Sequence, residues 1–115
     1  MPYLRIRTNQ SIEQPTKMQF LKAASAETAK LLGKPESYVM VSLEDRQAML
    51  FAGTDEPLCA ARLASLGFSE ERSSEISEAL TLLMERHLGV APNRIYIEFV
   101  SPPRHLWGYN GGTFG

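Results

Sequence analysis

Proline stands directly behind the initiator methionine, and this placement gives the chain its most unusual chemical group. A small residue at position 2 is of the kind that lets methionine aminopeptidase remove Met1. That predicts a mature chain beginning with the secondary amine of Pro2. In an apolar pocket the charged form of such an amine is disfavoured, so its pKa falls toward neutrality, where a general base works best. Prolines are also common at strand beginnings for conformational reasons alone. By position, then, Pro2 has two readings: a rigidly held base, or an ordinary strand starter.

The other candidates are few. Cys59 is the only cysteine, and His87 and His105 are the only histidines. An internal disulfide is therefore excluded, a thiolate or imidazole zinc cage lacks ligands, and the expected chemistry is metal-free. Neither a Gly-x-Gly-x-x-Gly fingerprint nor a Walker loop occurs, since Gly33-Lys34 is followed by Pro35. A Gly-x-Ser-x-Gly nucleophile elbow is also missing. His87 falls in an apolar helical stripe near the helix end, where it suits the dipole, and His105 falls in a proline-rich loop. Met18, Met40, Met49 and Met84 read as core fillers rather than ligands, and Glu44-Asp45-Arg46 reads as a solvated turn.

The elements that must position these groups follow from composition and periodicity. At 115 residues, with 43% hydrophobic and 22% charged side chains, the chain has the make-up of one packed domain spanning residues 1–115. Twelve Lys and Arg against 13 Asp and Glu give a net charge of −1, too balanced for the phosphate neutralisation that general nucleic-acid binding needs. Met1 to Gln10 alternates instead of offering the apolar stretch of about 7 residues that a secretory signal requires, which predicts a cytoplasmic protein. No run of about 18 apolar residues is present, so no membrane span is expected.

Leu4 and Ile6 alternate with Arg5 and Arg7, predicting a first strand from the terminus to Thr8. Thr16 and Gln19 suggest a capping box, followed by helical spacing of Phe20, Leu21, Ala24, Thr28, Leu31 and Leu32 and a stop at Gly33 and Pro35. Tyr38 to Leu43 reads as a strand, Gln47 to Gly53 as another short strand, and Leu58 to Leu66 as a strand ended by Gly67. Ser69 is placed to cap a second helix whose apolar stripe is Ile76, Leu80, Leu83, Met84, His87 and Leu88. Ile95 to Val100 is the last strand, stopped by Pro102 and Pro103. Each half thus has a helix ending Leu-Gly, then a proline, then a β-rich run, with Gly33 and Gly89 about half the chain apart. Two βαβ units with right-handed crossovers give an α+β sandwich, a four-stranded sheet with both helices on one face. An apolar, uncovered second face then predicts a symmetric oligomer with sheets facing inward.

The segments MPYLRIRTN, LGKPESYVMV, Ser65-Leu66-Gly67, PNRIYIEF and GYNGGTFG, in this order, resemble the macrophage migration inhibitory factor family of the tautomerase superfamily. The resemblance implies a homotrimer of subunits with two βαβ repeats and a cofactor-independent keto-enol tautomerase. Pro2, freed of Met1, would be the base, with phenylpyruvate-like keto acids as substrates and dopachrome-like compounds as an extension. It also implies that Lys34 holds the substrate carboxylate, that the Leu66 N–H contacts substrate, and that Tyr96 reaches the pocket from a neighbouring subunit. Tyr38, Trp107, Tyr109 and Phe114 would complete the wall. Glu98 stands where the family's best-known cytokine has asparagine, and is expected to raise the pKa of Pro2 or narrow substrate choice. Tyr109 replaces that cytokine's rim tryptophan, and Trp107 lies two residues earlier, so the rim is remodelled. Its Cys-x-x-Cys is replaced by Leu58-Cys59-Ala60-Ala61, which removes the resolving thiol and any expected thiol-disulfide activity. The alternative function is a signalling protein with a vestigial pocket and an unidentified receptor, released without a signal peptide as some family members are. An oligomeric scaffold is the blandest reading.

Overall fold

The alternation at the N-terminus folds as read. In the computed structural model, which describes residues 1–115, strand β1 (Pro2–Thr8) buries Pro2, Leu4, Ile6 and Thr8 and exposes Arg5 and Arg7. Helix α1 (Gln14–Leu32) returns the chain to β2 (Met40–Glu44), parallel to β1 with Leu4 beside Val41. The second unit repeats the plan with β3 (Cys59–Ser65), α2 (Ser73–Leu88) and β4 (Ile95–Val100), Leu63 lying beside Phe99. The units join through the antiparallel β1–β3 pair, where Leu4 opposes Leu63, and the sheet order is β2-β1-β3-β4.

This register places the buried residues of both central strands on one face, because strand side chains alternate with period two. Leu4, Ile6, Cys59, Ala61 and Leu63 pack there against Phe20 and Ala24 of α1 and Ile76, Leu80 and Met84 of α2. Full burial of side chains such as Leu4, Ile6, Phe20 and Leu80 is worth about 1.5–3 kcal/mol each. The sandwich therefore has a sufficient core without covering its second face. Gly33 and Gly89 end the two helices in the left-handed region, at φ 62° and 69°. A single 3₁₀ turn and a strand follow each, so the repeat seen in sequence is a repeat of structure. No helix is long and apolar enough to cross a membrane.

Several local expectations are corrected. Helix α1 starts two residues before Thr16, with Glu13 at the N-cap, no side-chain cap bond, and Pro15 in the first turn. Proline's fixed φ favours that earlier start over a capping box. Tyr38 closes a 3₁₀ turn, Glu36–Tyr38, and the strand begins only at Met40. Gln47 to Gly53 is not a strand. The Gln47 N–H donates to the Thr8 carbonyl, turning the chain across the end of β1, and Phe51 makes one isolated bridge to Thr54 around Ala52 and Gly53, both at positive φ. Ser69 does not cap α2: its hydroxyl hydrogen-bonds Glu71 at 2.9 Å, and a 3₁₀ turn, Glu70–Arg72, precedes the helix. Met84 is core, but Met18 and Met40 are 51% and 60% exposed. Asp45 is no solvated turn residue either. Its carboxylate accepts the Ile12 N–H at 3.0 Å and pairs with Lys17 at 3.0 Å.

The largest correction concerns the uncovered sheet face. It is mixed: Arg5 and Arg7 each approach Glu44 at 3.9 Å and Arg62 pairs with Glu98 at 3.4 Å, while Met40 and Tyr96 stand 60% and 71% exposed on the same face. The arginines that alternate with Leu4 and Ile6 point to this face by necessity. Apolar burial is therefore only part of what this face offers a neighbouring subunit.

Candidate active site

The N-terminal ends of β1 and β2 meet the C-terminal segment at a cavity of about 210 Å³. Pro2, Tyr38, Trp107 and Tyr109 line it, as does a group that sequence reasoning did not single out: Met1, Tyr3, Ser37, Val39 and Met40. Parallel pairing of β1 and β2 brings Tyr3 beside Met40 and explains their joint presence. Trp107 and Tyr109 arrive through a hairpin, β5 (Gly108–Tyr109) and β6 (Gly112–Thr113), turned at Asn110-Gly111 with both residues at positive φ. An Asn-Gly pair is the strongest short-range hairpin signal, so this element was open to detection in the sequence. Its aromatic side chains interlock: Tyr109 meets Tyr38 edge-on at 5.6 Å and stacks on Phe114 at 5.5 Å. Phe114 thus braces the wall and does not itself line the cavity.

Lys34 follows the helix-ending Gly33, and its ammonium donates to the Leu66 carbonyl at 2.9 Å. That bond brings Lys34 and Leu66 together and leaves the Leu66 N–H uninvolved. The terminal ammonium, here on Met1, has its pKa lowered by partial burial first, then by the positive charges of Lys34 and Arg104. Arg104 is a second cation that the sequence did not disclose. It is fixed by a hydrogen bond from its Nε to the Phe114 carbonyl at 3.0 Å. Its only advance signal was a basic residue directly after the Pro102-Pro103 stop.

Tyr96 and Glu98 are not part of this cluster within one protomer. Tyr96 is 71% exposed and packs on Phe51 at 4.7 Å, and Glu98 is held by Arg62 on the open sheet face. Strand β3 separates both from β1. A larger cavity of about 360 Å³ lies by Phe68, Phe99, Glu70, Ser73 and Ser101; Glu70 is its one ionisable group, and no cation lines it. The smaller, aromatic-walled cavity is the one lined by the chain terminus and Pro2, and Lys34 and Arg104 stand near enough to act on the terminal ammonium without lining the cavity themselves.

A doubled βαβ sandwich with a cationic, aromatic cavity at the start of its first strand defines the class of protein. The sequence model of macrophage migration inhibitory factor matches residues 1–115. A macrophage migration inhibitory factor homolog of Brugia malayi is 40% identical over all of both chains, and one of Trichuris trichiura is 40% identical over 99% of this chain and all of that one. The crystal structure of a homologue from Prochlorococcus marinus superimposes with a TM-score of 0.94 at 38% identity, over 98% of this chain and 99% of the other. The chain belongs to the macrophage migration inhibitory factor family, within the tautomerase superfamily.

Proposed function

We propose that this protein is a cofactor-independent keto-enol tautomerase for phenylpyruvate-like acids, with the amine of Pro2 as general base. The observation that carries this reading is geometric: Pro2 is buried at the start of β1 and lines an aromatic-walled cavity, with Lys34 and Arg104 near enough to act on the chain terminus. Removing Met1 by one residue's hydrolysis would leave the secondary amine of Pro2 in this neighbourhood. Burial and both cations would then act on it in the same direction, against its charged form. Superfamily membership supports isomerase chemistry of this kind.

Lys34 and Arg104 attract the substrate carboxylate, which orients an α-keto acid with its aromatic ring toward Tyr38, Trp107 and Tyr109. Neutral Pro2 takes a proton from the carbon alpha to the carbonyl, the electron pair moves onto the carbonyl oxygen, and a proton returns to that oxygen to give the enol. No net proton is gained or lost. We further propose a homotrimer with inward-facing sheets, in which Tyr96 and Glu98 join a neighbour's cavity. Their position on the exposed sheet face supports this.

The test is the phenylpyruvate tautomerisation rate of protein shown by intact mass to lack Met1, beside Pro2→Ala prepared identically. Loss of the base is expected to lower the rate about 100-fold or more. Equal or absent rates in both would retire the catalytic reading in favour of signalling through the oligomer's surface.

A further inference from the structure

Ser65 ends β3 and lies directly opposite Pro2 in the β1–β3 register. It is fully buried, and its Oγ is one of two buried side-chain oxygens without a hydrogen-bond partner, Thr28 Oγ1 on α1 being the other. A buried, unpaired hydroxyl costs about 1–3 kcal/mol and so asks for an explanation. Only Ser65 stands against the candidate base. The pairs Leu4–Leu63, Ile6–Ala61 and Thr8–Cys59 show that Pro2 and Ser65 point to the same, helix-covered face. Directly opposed residues hold their Cβ atoms about 4.5–5.5 Å apart, and the hydroxyl lies one bond beyond Cβ.

With Met1 attached, the Pro2 nitrogen is a planar amide without hydrogen and has nothing to offer Ser65. Hydrolysis of the Met1–Pro2 bond changes this. The nitrogen becomes tetrahedral, and its two free positions straddle the former peptide bond, one tilted toward the core face and one away from it. We propose that Ser65 is a positioning residue for the Pro2 amine: its Oγ accepts the core-side N–H, so that the remaining lone pair of the neutral amine is directed into the cavity. The hydroxyl that is unpaired in the Met1-bearing chain thereby gains its partner through processing. This rests on the reading of Pro2 as a free amine.

The experiment uses full-length protein labelled at proline nitrogen, with Met1 removal verified by intact mass. The nitrogen resonance of Pro2 is followed against pH in the parent, Ser65→Ala and Ser65→Cys, the last keeping the volume with a weak acceptor. A hydrogen bond to the charged form raises a pKa, so both variants are expected to titrate about one unit lower than the parent. Ser65→Thr, which keeps the hydroxyl, restores the parent value. An unchanged titration in Ser65→Ala or Ser65→Cys overturns the proposal, because a purely packing role would alter stability without moving the amine. In protein that retains Met1, Ser65→Ala leaves the melting temperature unchanged or raises it; a fall there overturns the proposal by showing that the hydroxyl already had a partner. Since the titration needs no turnover, it remains decisive even if Pro2→Ala leaves the tautomerase rate untouched.

Discussion

Cys59 shows how far one residue can be judged from its surroundings. It is buried at the start of β3, and burial pushes its thiol up to about 11, despite the nearby Thr8 hydroxyl working in the opposite direction. Such a pKa keeps the group a thiol at neutral pH, which disfavours nucleophilic and redox chemistry there. In native protein at pH 8, Cys59 is expected to resist an alkylating reagent for hours and to react within minutes once guanidinium unfolds the chain, as read by intact mass. Rapid native labelling would mean that β3 opens far more readily than its core contacts imply. The sequence disclosed the lone cysteine and the chemically distinctive Pro2, because residue type and position are properties of the chain itself. It could not disclose Arg104 or the pairing of Ser65 with Pro2. Those depend on a strand register and on a C-terminal segment folding back over a cavity.

Strands and helices were legible where periodicity met a strong stop. Gly33 and Gly89 end both helices, since a left-handed cap suits the residue without a side chain. Starts were less legible, because Thr16 and Ser69 had the right chemistry for caps while Pro15 and a 3₁₀ turn set the actual beginnings. The entry to α1 is secured instead by a contact distant in sequence. Asp45, just after β2, accepts the Ile12 N–H and pairs with Lys17, and the backbone bond is the larger cause of its lowered pKa, with Lys17 second. A carboxyl with a depressed folded pKa adds stability that is fully present above the unfolded value of about 3.9 and is lost as pH falls through the folded value. Asp45→Asn is therefore expected to melt a few degrees lower than the parent at pH 7, with the gap closing as both are acidified below about pH 4. Thermal melts across pH would show this, and a gap that stayed constant would mean that the ionised carboxylate contributes nothing.

At the scale of the whole molecule, the decisive question is what the open sheet face is for. Sequence reasoning reached an oligomer by supposing an apolar face, but Arg5, Arg7, Glu44, Arg62 and Glu98 share it with Met40 and Tyr96. Tyr96 projects from β4 on the exposed side, two strands away from Pro2, so in the proposed trimer it would serve the cavity of another copy. In a closed ring of three subunits, each site would combine one subunit's Pro2 with its neighbour's Tyr96. Mixing then becomes diagnostic. Pro2→Ala and Tyr96→Ala subunits, each impaired alone, are expected to regain activity when co-expressed or refolded together. With equal random mixing, about one quarter of the sites receive an intact Pro2 from one variant and an intact Tyr96 from the other. The mixture should therefore approach about a quarter of the parent rate, above the mean of the separate variants. A mixture no better than that mean would mean that Tyr96 does not act across a subunit boundary, and the inward-facing trimer would lose its main support.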